Sequence, residues 1–246
     1  MARSLAGHGS VLVADTDRTK LLRPEPDSDG DEIRAAELDE VAHCDVVIVA
    51  VPAASLERAL EALRPLLAEH TVVMDVVSTK VMATGLLTAI LGDHPEILAT
   101  HPLFGPPSMK KMRKGQRLVV TCVRGERARE FLRFLRKHYG LEIHEMSPED
   151  HDRSMAYMQA LPFFIARALV DLGFLELDHR DVLSFPSFEK LAAIAAIEEH
   201  HTDAMFDTSQ RSNPFAADAR RQFIEALEKL NAEIEAGHIS FQPPER

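Results

Sequence analysis

Short apolar runs alternate with amphipathic segments through the first 146 residues of the 246-residue chain. Val11–Ala14, Val46–Val51, Val72–Val77, Ile97–Thr100, Leu118–Val123 and Glu142–His144 read as strands, short and mostly β-branched. Between them, Ser55–Ala68, Val81–Leu91 and Glu126–His138 carry apolar residues at helical spacing. The strands are continuously apolar instead of alternating. That pattern predicts an α/β fold whose sheet is covered on both faces, hence mostly parallel and doubly wound through crossover helices. Arg23–Glu32 (RPEPDSDGDE) is acidic and Pro-containing and predicts a solvated loop.

The texture changes near residue 147, where the pattern places a domain boundary: 1–146 before it, 147–246 after it. Ser147 is placed to cap a helix with Pro148 at its first position and Asp150 three residues on. Met155, Met158, Leu161, Ile165, Ala168, Leu169 and Leu172 continue that helical pattern as far as Gly173. Further helices are expected over Phe188–His200 and Phe215–Ala236. In the last, Phe223, Leu227, Leu230 and Ile234 are spaced as the seam of a helix packed on another helix. No strand candidate follows Met146, so the second domain is expected to be all-helical.

Composition narrows the classes. Hydrophobic residues make up 46% and charged residues 27%, ordinary for a globular chain. Only 6% are aromatic, there is no Trp, and the formal charge is −11, which together argue against a nucleic-acid partner. Cys44 and Cys122 each lie in an apolar run and read as small buried hydrophobes, not a disulfide or zinc framework. The opening MARSLAGHGSVLVAD has no signal-peptide core and no run reaches transmembrane length, so a cytoplasmic protein with no membrane partner is expected.

Candidate chemistry sits at strand ends. A dinucleotide-binding domain opens with a strand, a Gly-rich turn and a helix; here ARSLAGHGS reads as the end of that first helix, followed by a strand closing at Asp15. An acidic residue there would accept adenosine ribose hydroxyls and favours NAD, while Arg18 leaves NADP open. A plain strand-ending turn over Asp15–Arg18 fits the spacing equally well. In the middle of the chain, MDVVSTK carries Ser78, Thr79 and Lys80 past one strand, and ATHPLFGPPS brings His101 to the end of the next. Ligands of open α/β sheets gather at carboxyl strand ends. A neutral His is suited to taking a hydroxyl proton near neutral pH, and a Ser one strand away could orient it.

Taken in order, VVMDVVSTK, THPLFGPPS, EDHDRSMAYMQALPFF and SFPSFEKLAAI resemble the motif set of the prephenate/arogenate dehydrogenase family over Ala2 to about Asn231. The resemblance implies a Rossmann-like domain, incomplete at its start, followed by a helical dimerisation domain. It implies oxidative decarboxylation of prephenate, arogenate or a close analogue with NAD or NADP, and a homodimer. His101 would take the ring-hydroxyl proton as hydride leaves, and Ser78 would support that imidazole and touch substrate. Thr79, Lys80, Gly105, Gln159 and Lys190 fall at expected substrate positions; Asp15, Arg18, Val51 and Pro52 fall at cofactor positions.

Departures from the motif set keep two other readings open: a dimeric binding protein of the same fold without turnover, and a cofactor-independent reaction on a prephenate-like acid. The first strand and glycine loop are not found, the family His after QAL falls on Phe163, and a substrate-binding Arg falls near Ile197. A lost charge-assisted contact costs about 1.5–3 kcal/mol, roughly ten- to a hundredfold in affinity. Lys80, Lys110, Lys111, Arg153, Lys190 and Arg211 are the candidate replacements. His151, with Asp152, is read as the helix-start element of the family pattern and His200 and His201 as a helix end, with no metal site.

Overall fold

The structure, a computed structural model, describes residues 2–17, 19, 33–104, 112–177, 183–200 and 202–238. Arg18, Gly105, Lys110, Lys111, His201 and the whole of the expected acidic loop Arg23–Glu32 lie outside the described residues. Contacts divide the chain into two units, Met1–Asp152 and Arg153–Arg246.

In the first unit a short helix α1 (Ala2–Leu5) and a 3-10 turn lead into β1 (Val11–Val13), which pairs in parallel with β2 (Ile33–Ala35). After α2 (Leu38–Ala42) come β3 (Val46–Val49), α3 (Leu56–Leu63), β4 (Val72–Asp75), α4 (Lys80–Ile90), β5 (Ile97–Pro102), β6 (Arg117–Arg124), α5 (Glu126–Tyr139) and β7 (Glu142–Glu145). Strands β3 to β7 form one five-stranded sheet in chain order. All its neighbours are parallel except β5 and β6. The strands β1 and β2 make a separate two-stranded sheet, where a single sheet was expected.

Alternation across the pleat explains why the strands read as continuous apolar runs. Val47, Val49, Val73, Ile97 and Ala99 face one core with Leu56, Leu60 and Leu63 of α3 and Ala83, Leu87 of α4. Val46, Ile48, Val72, Met74 and Leu98 face the other, with Ala128, Leu132 and Leu135 of α5. Both helical stripes keep i, i+4, i+7 spacing, the face a helix presents to a sheet. Each fully buried leucine contributes about 1.5–3 kcal/mol relative to exposure. The elements missed by the sequence pattern, β2 and α2, are only three and five residues long. A capping box of Glu37 and Glu40 starts α2.

The helix α6 (Pro148–Met155) starts in the first unit, where Ser147 Oγ accepts the Asp150 N–H at 3.0 Å, and its last three residues belong to the second. The helix expected to run to Gly173 is interrupted by a π-helical turn, Ala156–Ala160, before α7 (Leu161–Asp171). Gln210 donates to the Ala160 carbonyl at 2.8 Å and in turn accepts from Arg220, satisfying backbone at the end of that turn. Then follow α8 (Pro186–Ala195), α9 (Asp203–Asp207) and α10 (Ala216–Glu235), with no strand among the described residues. Among the described residues the α10 stripe is only partly covered: Leu227, Leu230 and Ile234 are about half exposed. No described helix is long and apolar enough to cross a membrane.

Candidate active site

The parallel register Val73↔Ile97 to Asp75↔Ala99 brings the carboxyl ends of β4 and β5 side by side. Beyond β4 the chain runs through Ser78 and Thr79 into α4; β5 ends at His101 and Pro102. The register of β5 against β6 shifts between Ala99 and Thr100, immediately before His101. Bulges of this kind re-aim the side chains that follow them.

A buried ion pair fixes the shift. Both Asp75 oxygens accept from Lys80 Nζ, at 2.8 and 2.7 Å, and the Lys80 ammonium also donates to the Thr100 carbonyl at 2.7 Å. Asp75 further accepts the Val77 and Thr100 N–H groups, at 2.9 and 3.2 Å. Neither side chain of the pair is exposed. Burial pushes the Asp75 carboxyl up and the Lys80 ammonium down, and each is held back by the other's charge. Lys80, expected to meet a substrate carboxylate, therefore ends inside the fold, where its charge joins α4 to β4 and β5.

The α4 N-terminus is capped from a distance. Thr79 precedes the helix but makes no side-chain cap. Instead Asp152, 72 residues from Lys80 in sequence, accepts the Lys80 N–H on Oδ1 at 2.7 Å and the Val81 N–H on Oδ2 at 2.9 Å. A carboxylate there meets both free donors and the positive end of the helix dipole. Displaced from capping, the Thr79 hydroxyl is buried without a hydrogen-bond partner among the described residues. An orphan of this kind costs about 1–3 kcal/mol and marks a place where a ligand atom is expected.

The same Asp152 begins a chain of buried groups. His151 Nδ1 lies 2.7 Å from Asp152 Oδ1, and His151 Nε2 lies 2.9 Å from His101 Nδ1. His151 and Asp152 are fully buried and His101 is 6% exposed. Burial first, then the nearby His151 ring and the Lys80 ammonium, which both oppose a positive charge there, pull the His101 imidazole down to about 3. His101 is thus neutral near pH 7. Unfolded, it titrates near 6.5; the unfolded chain binds a proton that the folded one refuses. Stability from this group is complete above about 6.5 and falls by about 1.4 kcal/mol per pH unit below it, toward pH 3. Urea unfolding between pH 7 and 5 should show the wild type losing stability more steeply than His101→Gln; parallel slopes would contradict the assignment.

The structure thus places His101 as expected, at a strand tip, but pairs it differently. Its hydrogen-bond partner is His151, and no bond joins it to Ser78, which is half-buried beyond β4. His151 and Asp152 were read from the sequence only as a helix start in EDHDRSM; adjacency there gave no sign that both were buried beside His101. Of the remaining candidates, Asp15 is exposed beyond β1 and accepts the Asp17 N–H on Oδ1 at 2.9 Å. Val51 is half-buried and Pro52 exposed beyond β3. In the second unit Gln159 is half-buried in the π-helical turn and Lys190 is exposed on α8. Arg153 stacks on Phe215 at 4.4 Å, and Arg211 pairs with Asp207 at 2.7 Å. Phe163 is half-buried on α7, and Ile197 lies in the 3-10 turn after α8. An open cavity of about 590 Å³ between β6 and α5, lined by Arg129, Arg133 and Arg136, includes none of these residues.

This architecture has relatives. A prephenate dehydrogenase from A. aeolicus, crystallised with hydroxyphenyl propionate and NAD+, superimposes with a TM-score of 0.75 at 20% identity, covering 96% of this chain and 86% of that one. Arogenate dehydrogenase 1, chloroplastic, of Arabidopsis thaliana is 37% identical over 138 residues, 52% of this chain and 21% of the plant protein. The 4-amino-4-deoxyprephenate dehydrogenase of Streptomyces pristinaespiralis is 30% identical over 201 residues, 80% of this chain and 66% of that protein. The chain spans less than half the length of the first five curated relatives it matches. The prephenate dehydrogenase nucleotide-binding domain matches residues 1–126 and the prephenate dehydrogenase dimerization domain residues 147–240. With both matches in sequence order over most of its length, the chain belongs to the prephenate dehydrogenase family.

Proposed function

We propose that this chain carries out a nicotinamide-dependent oxidative decarboxylation of prephenate, arogenate or the 4-amino analogue, with His101 as the base. The observation that carries the reading is a neutral imidazole at a carboxyl strand tip whose Nδ1 is engaged by His151, leaving Nε2 for a substrate hydroxyl. The residues present suit a dinucleotide. Asp15 stands beyond β1 for ribose hydroxyls, Val51 and Pro52 follow β3, and the orphaned Thr79 hydroxyl follows β4, all at ends of parallel strands. Asp15 favours NAD, with NADP the other candidate. When bound, the nicotinamide supplies the hydride acceptor.

The protein's own part is alignment and proton handling. His101 accepts the proton of the ring hydroxyl, or of the ring amine in the 4-amino analogue, as that carbon becomes a carbonyl or an imine, and loss of the ring carboxylate as carbon dioxide then restores aromaticity. Ser78, with no hydrogen bond among the described residues, is placed to bond substrate directly. Gln159 and Lys190 are the proposed substrate contacts of the helical unit. The family match of residues 147–240 and the half-exposed Leu227, Leu230 and Ile234 stripe support a homodimer through that unit.

The test is to mix the protein with NAD+ or NADP+ and each of the three substrates. Reduced-nicotinamide absorbance is expected to rise with at least one pair; none rising with any would overturn the reading.

A further inference from the structure

We propose that His151 and Asp152 form a buried relay that fixes the tautomer of His101 and carries the charge of the proton it abstracts. The inference rests on the reading of His101 as the base, and it follows from which atoms can donate. Asp152 is already committed as an acceptor, because two backbone N–H groups of α4 point at its oxygens. Its contact with His151 Nδ1 therefore requires a proton on that nitrogen. A neutral His151 then presents a bare Nε2, so the 2.9 Å contact requires a proton on His101 Nδ1. What remains on His101 is an unprotonated Nε2, the lone pair a base needs. The tautomer at the site is thus set by the start of a helix, through two side chains from α6.

The relay also resolves an electrostatic difficulty. His101 carries charge poorly: it is buried, and it faces both His151 and the Lys80 ammonium, itself matched by Asp75. In the relay, the substrate proton arrives on His101 Nε2 while the Nδ1 proton passes to His151 Nε2. His101 stays neutral, and the positive charge rests on His151 against the Asp152 carboxylate. When product leaves, the proton on His101 Nε2 departs to solvent and the shared proton returns to His101 Nδ1. His151 touches no substrate atom in this scheme; it is a positioning residue.

Nitrogen-15 NMR of the histidine-labelled full chain at pH 7.5 tests the tautomers without relying on turnover. Both His101 and His151 are expected with protonated Nδ1 and bare Nε2. A His101 protonated on Nε2 with bare Nδ1 would overturn the proposal, whether or not the protein turns over. Kinetics test the charge transfer. His151→Phe removes the acceptor, and His151→Gln keeps an oxygen that accepts from His101 Nδ1 but cannot take its proton. Both variants are expected to lower kcat at least about 30-fold with KM within threefold, and to move the acid limb of the kcat/KM profile at least one unit lower, because His101 must then bear the charge itself. Wild-type kcat and an unmoved limb in whichever variant folds would sink the relay. A wild type that oxidises none of the substrates instead sinks the functional reading, and the NMR pattern still decides the tautomers.

Discussion

Replacing His101 with glutamine is expected to lower kcat about 10²- to 10⁴-fold while leaving the protein folded. That range is what a positioned general base contributes. The side-chain amide of glutamine can still donate to His151 Nε2, so the buried contact at 2.9 Å in the wild type has a substitute. No group then faces the substrate hydroxyl with a basic lone pair. Circular dichroism and cofactor binding should be unchanged, and KM should move less than kcat, because the lost interaction develops as the proton moves. A variant retaining a third or more of wild-type kcat would remove His101 from the mechanism.

The second large effect concerns stability. Lys80→Met should cost about 3–5 kcal/mol, the usual consequence of removing one partner from a buried pair. The Asp75 carboxylate would keep the Val77 and Thr100 N–H groups but lose the only charge matching it among the described residues. Against a typical total of about 5–15 kcal/mol, this is roughly a fifth or more of the stability of an ordinary domain. Adding Asp75→Asn should recover part of the loss, since a carboxamide keeps an acceptor oxygen and no charge is left buried. Urea unfolding of both variants decides the matter: a double variant less stable than Lys80→Met would contradict the ion-pair account. The variant should also lose activity beyond its stability loss, because Lys80 holds the Thr100 carbonyl one residue before His101.

The fold was legible where the chain is repetitive. Val46–Val51, Val72–Val77 and Ile97–Thr100 read as doubly covered strands because alternate residues enter two cores, and the structure has strands there over Val46–Val49, Val72–Asp75 and Ile97–Pro102. β2 was not legible: three residues following an acidic stretch give no period to detect. The reversal of β5 against β6 was equally hidden, since an antiparallel strand buried on both faces has the same composition as a parallel one.

The site was half legible. His101 stood out because it ends an apolar strand. Lys80 was misjudged as a ligand contact because a lysine just past a strand usually reaches water. The clue lay five residues earlier: Asp75 inside VVMDVV is an acid in a buried strand and needs a cation within the fold. His151 and Asp152 were not recoverable from spacing, because their partners are 50 and 72 residues away and meet them only after α6 packs on α4.

In the proposed function a base at the tip of β5 drives an oxidation coupled to carboxylate loss. The most direct test is to trap carbon dioxide and follow reduced nicotinamide in one reaction of the wild-type protein with its best substrate. Equal amounts of the two products are expected, both falling together in His101→Gln; carbon dioxide released without cofactor reduction, or reduction without carbon dioxide, would contradict the proposed function.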